Sequence, residues 1–272
     1  MKRGWKTKVA AWVNPIFRKI GFECVSTASG LENWRRAKRL IAEECAEFSV
    51  LDAAVELAVM QYGKKGISVV QIGANDGTQY DLVRKYIERY SMQGVLVEPN
   101  PAVFGRLKEN YVNHPQLKFE NVAIGETEGA MSLYFFAPME GDGGDYSVYA
   151  SLDRAAIERI KMIYNIPNRI QASCVPVMTL SALLDKHPFP EITLLAIDTE
   201  GYDMKILQTI DFEAYKPRVI VYEHTFASGD EESACLNRLI QSGYKICRGL
   251  SIDTVAVLTP QECRCVMRVT KS

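Results

Sequence analysis

Short runs of β-branched and apolar residues alternate with segments of helical periodicity from Ile67 onward. Each run is short enough for one buried strand, and apolar residues recur every three or four positions between the runs, as in amphipathic helices. The predicted strands are residues 68–72, 95–97, 118–122, 131–136, 194–197, 219–222, 244–247 and 254–258. The predicted helices are residues 80–90, 102–111, 154–164, 180–185, 203–207 and 231–241. Strands that alternate with helices predict an α/β domain with a mostly parallel sheet.

Before residue 67, a helical pattern runs from Ser29 to Tyr62. Ser29-Gly-Leu-Glu32 has the form of a capping box, in which a serine and a glutamate satisfy free amides at a helix start. Apolar residues then recur at helical spacing from Trp34 to Tyr62. We therefore predict two regions: residues 1–66 form a basic tail with a helical extension, and residues 67–272 form the main domain.

The segment 137–149 breaks both periodicities. It contains Gly141-Asp-Gly-Gly-Asp145, which suits neither a strand nor a helix interior. We predict a loop between sheet elements, placed where it can act as a lid over a site.

Composition and charge narrow the class of partner. A formal net charge of −1 over 272 residues gives no overall attraction to nucleic acid, so no nucleic-acid partner is expected. Seven cysteines without a CxxC pair indicate reduced thiols and a cytoplasmic location. No run approaches the roughly 20 apolar residues of a transmembrane helix, although the basic, Trp-bearing N-terminus is compatible with peripheral contact with a membrane. Nothing in the sequence specifies an oligomeric state.

A glycine turn follows the first predicted strand of the main domain. The stretch from Val69 to Gly77 leads from a buried strand into a tight turn, where backbone can approach a ligand. The spacing Gly73-x-x-x-Gly77 lacks the middle glycine of the dinucleotide fingerprint, which disfavours NAD. Glu98 ends the next strand, where a carboxylate can accept hydrogen bonds from ribose hydroxyls. These residues predict a site for an adenosine-containing ligand.

Titratable residues gather after two later strands. Asp198 and Glu200 follow residues 194–197, and Glu223 and His224 end the strand that begins at Val219. Open α/β sheets bind their ligands at the carboxyl ends of strands, so these four side chains predict a functional cleft.

Five motifs, in order, resemble those of FkbM-type S-adenosylmethionine-dependent methyltransferases. They are Gln-Ile-Gly-Ala-Asn-Asp-Gly (71–77), Val-Leu-Val-Glu-Pro-Asn-Pro (95–101), Asn-Val-Ala-Ile-Gly (121–125), Ile-Asp-Thr-Glu-Gly-Tyr-Asp (197–203) and Val-Tyr-Glu-His (221–224). The resemblance covers about residues 67–258. It implies a Rossmann-like class I methyltransferase fold, with a seven-stranded, mostly parallel sheet and a terminal antiparallel hairpin. It also implies O-methylation of a saccharide, a glycolipid precursor or a natural product.

The resemblance further implies a role for each motif residue. The residues expected to contact the methionine part of the cofactor are Gly73, Ala74, Asn75, Asp76 and Gly77. Those expected around its adenosine are Glu98 at the ribose and Asn121 and Val122 at the adenine. Asp198 would face the methionine amino group or the acceptor, which Glu200, Glu223 and His224 would border.

A hydroxyl acceptor benefits from a general base. His224 is the first candidate, because imidazole with an ordinary pKa near 6.5 is mostly neutral at about pH 7. Glu223 could orient it, although adjacent strand residues point to opposite faces. In a second version, Asp198 and Glu200, with Glu223 or His224, hold Mg²⁺ or Mn²⁺, which acidifies the bound hydroxyl. The residue pattern by itself assigns no metal ligand.

Other interpretations remain open at this point. Tyr146, Tyr149 and Tyr164 could stack on a sugar ring or cover the core. The chain could also be a catalytically silent protein that binds S-adenosylmethionine and acts through a partner. A nucleotide-dependent oxidoreductase is a third alternative.

Overall fold

The structure, a computed structural model, describes residues 50–62, 66–137, 146–248 and 253–258. The predicted helix start at Ser29, the basic N-terminus with its suggested membrane contact, and most of the predicted 137–149 loop lie outside these residues. Within the described ranges, no helix has the length and apolar content needed to cross a membrane.

Seven helices and eleven strands occur in the described ranges. The helices are α1 (Val50–Tyr62), α2 (Arg84–Tyr90), α3 (Pro101–Asn110), α4 (Arg154–Ile163), α5 (Leu180–Lys186), α6 (Asp203–Thr209) and α7 (Gly229–Gln241). The strands are β1 (Ser68–Ile72), β2 (Gln93–Val97), β3 (Leu117–Glu120), β4 (Ala123–Ile124), β5 (Gly129–Phe136), β6 (Ala150–Ser151), β7 (Ile170–Met178), β8 (Leu194–Ile197), β9 (Val219–Glu223), β10 (Tyr244–Arg248) and β11 (Asp253–Leu258).

The main sheet has seven strands in the order β10-β11-β9-β8-β1-β2-β3. Strands β3, β2, β1, β8 and β9 pair in parallel, whereas β11 pairs antiparallel with both β9 and β10. The predicted seven-stranded sheet with an antiparallel terminal hairpin is therefore confirmed.

Helices cover both faces of this sheet. Val69 packs in the core that includes residues of α1, α2 and α3, and its neighbour Val70 packs in the core that includes residues of α5, α6 and α7. Successive strand side chains point to opposite faces, so a strand covered on both sides is buried throughout and mostly apolar. All residues of β1 and β8 are buried, and the polar ones among them are Ser68 and Gln71 of β1.

A second, four-stranded sheet has the order β4-β7-β5-β6. Its main contact is the antiparallel pairing of β5 with β7, from Gly129 opposite Val177 to Phe136 opposite Ile170. The strand pattern of the sequence includes neither β7 nor the short β4 and β6. Strand β7 is only partly buried and contains Pro176, so it lacks the apolar run that predicted the strands of the main sheet.

Helix α2 begins four residues later than predicted. Asp81 Oδ1 accepts hydrogen bonds from the backbone N–H groups of Val83 at 2.7 Å and Arg84 at 3.2 Å, and Tyr80 has a φ of 55°. A left-handed residue interrupts a helix, and the aspartate caps the helix that follows. The predicted helix over residues 80–83 is therefore wrong, because local side-chain bonding replaces it.

Gly77 illustrates how tightly the turn after β1 is packed. Its φ is +70°, and a Cβ there would lie 2.4 Å from the ring of Tyr111 and 2.8 Å from Leu107. We expect Gly77→Ala to lower the free energy of unfolding by about 1 to 3 kcal/mol, because overpacking and an unfavourable backbone conformation both destabilise the folded state. Urea denaturation measures this change.

Gly105→Ala is the matched control. Gly105 lies within α3, and a Cβ there would meet nothing within 4 Å. Alanine in a helix interior is favoured over glycine by about 0.5 to 1 kcal/mol, so this variant should be slightly more stable than the wild type. Equal effects of the two substitutions would contradict the packing described for Gly77.

Candidate active site

A cavity of about 630 Å³ lies at the carboxyl ends of the central strands of the main sheet. Its walls come from the ends of β1, β2, β8 and β9 and from residues 147–152, which precede α4. Its volume lies within the roughly 300 to 1,000 Å³ of small-molecule and cofactor sites.

Strand alternation decides which side chains enter this cavity. Val69, Leu96, Ala196 and Val221 share the core beneath α1 to α3. The residue two positions further along each strand points to the same face. Those four residues are Gln71, Glu98, Asp198 and Glu223, and all four line the cavity.

Gly73 allows β1 and β8 to meet at the cavity floor. Its φ is +79°, and a Cβ at this position would lie 1.7 Å from the backbone oxygen of Asp198. The N–H groups of Gly73 and Ala74 both donate to the carbonyl of Val97, at 3.0 and 2.9 Å. Only glycine can occupy this position without displacing the end of β8.

Glu98 is held from two sides by backbone. Its Oε2 accepts the N–H of Asn75 at 2.9 Å, and its Oε1 accepts the N–H of Asn100 at 2.8 Å. Burial raises the pKa of Glu98 to about 7, although the two hydrogen bonds and Arg106 act in the opposite direction. Each oxygen keeps a lone pair for a ligand hydroxyl.

Asn75 presents an unused acceptor to the same cavity. Its φ is 46°, a left-handed conformation that asparagine tolerates better than most residues. Its Oδ1 is buried, and no described residue donates a hydrogen bond to it. A buried acceptor without a donor is costly, so this atom calls for a donor on a bound molecule.

Three other residues predicted at the cofactor are not among the described residues that line the cavity. Asp76 closes a turn by accepting hydrogen bonds from the N–H and hydroxyl of Thr78 and from the N–H of Gln79. Burial acts to raise the pKa of Asp76, but these hydrogen bonds outweigh it and the pKa is lowered. Asn121 Nδ2 donates to the carbonyl of Glu98 at 2.7 Å. Gly77 packs on α3, as described above. These residues shape the cavity wall, whereas Val122 lines the cavity directly.

The side chains of Asp198, Glu200 and Glu223 form a carboxylate cluster. One carboxylate oxygen from each lies within 4.8 Å of the others. Burial, followed by the charges of neighbouring carboxylates, raises the pKa of all three, and that of Glu223 to about 7. Asp198 is exposed to the cavity but is surrounded by acidic groups. Because close like charges cannot all ionise easily, full ionisation of this cluster is disfavoured.

Asp203 holds the carboxylate cluster together, and the sequence interpretation assigned it no role. Its Oδ2 accepts from the hydroxyl of Thr199 at 2.7 Å and from the N–H groups of Thr199 and Gly201 at 3.3 Å, and its Oδ1 accepts from the N–H of Glu223 at 3.3 Å. These bonds fix a turn in which Glu200 has a φ of 53°. Burial raises the pKa of Asp203 to about 6. The signal available in the sequence was its place at the end of the 197–203 motif.

His224 lies apart from the carboxylate cluster. It is not among the described residues that line the cavity, and its Nδ1 is 3.0 Å from the hydroxyl of Thr254, which is buried on β11. Glu223 and His224 follow one another at the end of β9 and therefore face opposite sides. The geometry brings Glu223, but not His224, to the cavity.

Two tyrosines predicted as candidates for sugar stacking reach the cavity. The rings of Tyr149 and Tyr164 are stacked, with centroids 5.5 Å apart and an interplanar angle of 19°, and both line the cavity. Tyr146 instead packs edge-on against Phe136, with centroids 6.3 Å apart.

The sequence matches the family described as "Methyltransferase FkbM domain" over residues 71–246, nearly two thirds of the chain. The chain belongs to the FkbM methyltransferase family. It is accordingly an S-adenosylmethionine-dependent methyltransferase, and the resemblance proposed from the motifs is confirmed. No curated protein matches the sequence.

Three solved structures illustrate its structural neighbours. The FkbM methyltransferase from Methylobacillus flagellatus KT is 11% identical with a TM-score of 0.43; the match covers 92% of this chain and 60% of that one. The precorrin-6y C5,15-methyltransferase from Geobacter metallireducens GS-15 is 14% identical (TM-score 0.36, 71% and 80% covered). The TehB-like methyltransferase from Corynebacterium glutamicum is 12% identical (TM-score 0.36, 85% and 97% covered). At these scores the likeness carries no argument about substrate.

The carboxylate cluster makes stability depend on pH. The pKa of Glu223 is raised from its ordinary 4.5 to about 7 by burial and by Asp203, so folding binds a proton. Its contribution is fully present below its ordinary pKa and is lost as pH rises through about 7. Between about pH 5 and pH 8 the unliganded wild type should lose up to about 3 kcal/mol more stability than Glu223→Gln.

Urea unfolding of both proteins at the two pH values measures this difference. Glu213→Gln is the control, because Glu213 is an exposed carboxylate in the turn after α6, and its pH dependence should follow that of the wild type. If Glu223→Gln keeps the full wild-type pH dependence, the carboxylate is not held in the protonated state described.

Proposed function

We propose that this enzyme transfers the methyl group of S-adenosylmethionine to a hydroxyl of a saccharide, a glycolipid precursor or a natural product. The observation that supports this most is the position of a proton-accepting carboxylate cluster beside a pocket suited to adenosine. A hydroxyl must lose its proton as it is methylated, and a carboxylate whose pKa lies near neutrality suits that task.

The residues at the end of β1 and β2 fit the cofactor. Its sulfonium supplies an activated methyl group, so the protein has chiefly to align the reacting atoms. Glu98 would accept the ribose hydroxyls with its free lone pairs, and the unpaired Oδ1 of Asn75 would accept from the methionine ammonium. Gly73 and Ala74 let backbone approach the methionine part, and Val122 would flank the adenine.

Glu223 is our candidate for the general base. It lines the cavity, and its raised pKa, caused by burial and by Asp203, makes it a stronger base than an exposed glutamate. Asp198 and Glu200 would hold the acceptor hydroxyl in the same cluster. His224, the first candidate from the sequence, would act from outside the cavity wall by fixing the end of β9 through Thr254.

A metal-assisted version uses the same residues. Three carboxylates with oxygens within 4.8 Å of one another match the donor chemistry of Mg²⁺ or Mn²⁺. A bound cation would lower the pKa of the acceptor hydroxyl. Turnover that survives exhaustive chelation would exclude this version and leave the carboxylate base.

We place the reaction in the cytoplasm. Cys174 and Cys235 carry free thiols, as expected of a protein from a reducing compartment.

Cofactor binding is the first test. We expect Glu98→Gln to weaken binding of S-adenosylhomocysteine by about 10- to 100-fold in calorimetry, because amide nitrogen replaces one of the two acceptor oxygens. Asp76→Asn is the matched control: it neutralises an acid in the same region that lies outside the cavity lining, and should change the dissociation constant less than about threefold. NAD should not bind. Equal weakening by both variants would show that the loop, rather than a ribose contact, determines affinity.

Turnover distinguishes the two base candidates. With a hydroxyl acceptor found by screening for release of S-adenosylhomocysteine, Glu223→Gln should lower kcat/KM by about 10² to 10⁴-fold. In the wild type, kcat/KM for S-adenosylmethionine, which reports the pKa values of the unliganded enzyme, should rise with pH up to about 7, the pKa of Glu223, and then level off. His224→Gln should keep this pH profile, since that ring lies outside the cavity lining.

A larger loss in His224→Gln than in Glu223→Gln would restore the histidine as base. Tight cofactor binding without turnover on any hydroxylated acceptor, together with recovery of a partner protein, would favour the alternative of a catalytically silent binding protein.

A further inference from the structure

The cavity carries a strong excess of negative groups. Six carboxylates are among its described lining residues, whereas no lysine, arginine or histidine is among them. The six are Asp81, Glu98, Asp198, Glu200, Glu223 and Asp253. A nearby cation, Arg106, lies outside the lining; it donates to the hydroxyl of Ser147 at 2.9 Å, and its charge acts to lower the pKa of Glu98.

The protein compensates these carboxylates unequally. Asp81 accepts hydrogen bonds from backbone at the start of α2 and from the hydroxyl of Tyr111, and Glu98 accepts two backbone N–H groups. In the carboxylate cluster, by contrast, none of the three side chains forms an ion pair with a described residue. The sulfonium of the cofactor adds only a single positive charge. The acidic groups that lack an ion-pair partner among the described residues therefore lie at the acceptor end.

A buried amide oxygen, that of Gln71, also lacks a hydrogen-bond donor in this cavity. Gln71 is 6% exposed and lines the cavity. Its Nε2 donates to Asp81 Oδ1 at 3.1 Å, which fixes the orientation of the amide, and its Oε1 has no donor among the described residues. With Asn75 Oδ1, two lining side chains thus present buried acceptors without partners. The cofactor ammonium is proposed to satisfy Asn75 Oδ1, which leaves Gln71 Oε1 for a hydrogen-bond donor on the acceptor.

An aromatic wall stands beside the carboxylate cluster. Tyr164 is 56% exposed and stacks on Tyr149 at the cavity. The pKa of Tyr149 is raised to about 12 by burial, by Tyr164, and by the nearby charges of Glu200 and Glu223, so these groups share one region. Aromatic faces bind the apolar face of a sugar ring and attract cations.

We infer that the acceptor is a polyhydroxylated molecule with an ammonium group, of which an amino sugar is the simplest case, and that phosphorylated or carboxylated acceptors are excluded. This inference rests on the proposed function and names its substrate class. The ammonium would face Asp198 and Glu200, with the sugar ring against Tyr149 and Tyr164. The positive charge would favour the ionised form of these carboxylates, whereas an anionic group would disfavour it and would find no compensating cation among the described lining residues.

The reacting atom in this arrangement is a hydroxyl oxygen. Carboxylates around an ammonium stabilise its protonated form, which has no lone pair with which to attack. The neighbouring hydroxyl oxygen attacks the methyl carbon, the carbon–sulfur bond breaks with its electron pair going to sulfur, and the hydroxyl proton passes to Glu223. The products are a methyl ether and neutral S-adenosylhomocysteine.

The test compares three sugars that differ in charge. Glucosamine, N-acetylglucosamine and glucuronate are titrated separately, by ligand-observed NMR at constant ionic strength, into protein saturated with S-adenosylhomocysteine. We expect glucosamine to bind at least about tenfold more tightly than N-acetylglucosamine, and glucuronate to show no saturable binding. Glu200→Gln should reduce the preference for glucosamine, whereas Glu213→Gln, on the exposed turn after α6, should retain it.

Binding of glucuronate as tight as that of glucosamine would overturn the inference, and so would the absence of any difference among the three sugars, including no binding by any of them. These outcomes leave the proposed function intact as long as S-adenosylhomocysteine itself binds, since saturation with that ligand is measured first. Failure of S-adenosylhomocysteine to bind would instead overturn the proposed function.

Discussion

The close contact between the turn after β1 and the end of β8 determines the site. A Cβ on Gly73 would lie 1.7 Å from the backbone oxygen of Asp198, so the two strand ends touch through backbone alone. The same turn donates two N–H groups to Val97 and, through Asn75, one to Glu98. This single contact brings the ends of β1, β2 and β8 into one cavity. It thereby places Glu98 and the carboxylate cluster around the same cavity.

The carboxylate cluster has an energetic cost that other interactions offset. Burying like charges is unfavourable, and Glu200 also has a left-handed backbone conformation. Asp203 stabilises that turn with hydrogen bonds to Thr199 and Gly201 and also binds the backbone of Glu223. Strain at a functional site persists where surrounding contacts fix it. The geometry of the cluster therefore depends on Asp203, which is 1% exposed and lies outside the cavity lining.

The sequence predicted the main sheet well because its central strands are buried on both faces and leave largely apolar runs, as in β8. Strand β7 was missed because it is half exposed and follows no such run. At the site, the ends of the predicted strands located Gly73, Glu98 and Asp198. The sequence interpretation did not work out which face of the sheet each side chain occupies. Counting alternate residues from Val221 reaches Glu223, and this parity could have separated it from His224. Asp203 binds both its own turn and the backbone of Glu223 on the neighbouring strand. Residue spacing alone does not show that these two segments lie close together.

Charge connects the cofactor to the acceptor. Burial and mutual repulsion raise the pKa values of the carboxylate cluster in the unliganded protein. A positively charged ligand lowers the pKa of a nearby carboxylate. In the proposed reaction, the cofactor sulfonium would therefore increase the fraction of Glu223 that is ionised and able to accept a proton. Loss of the methyl group would leave the sulfur neutral and raise the pKa of Glu223 again as the hydroxyl proton arrives. An acidic cavity around a cationic methyl donor would thus strengthen the proposed carboxylate base as the reaction proceeds.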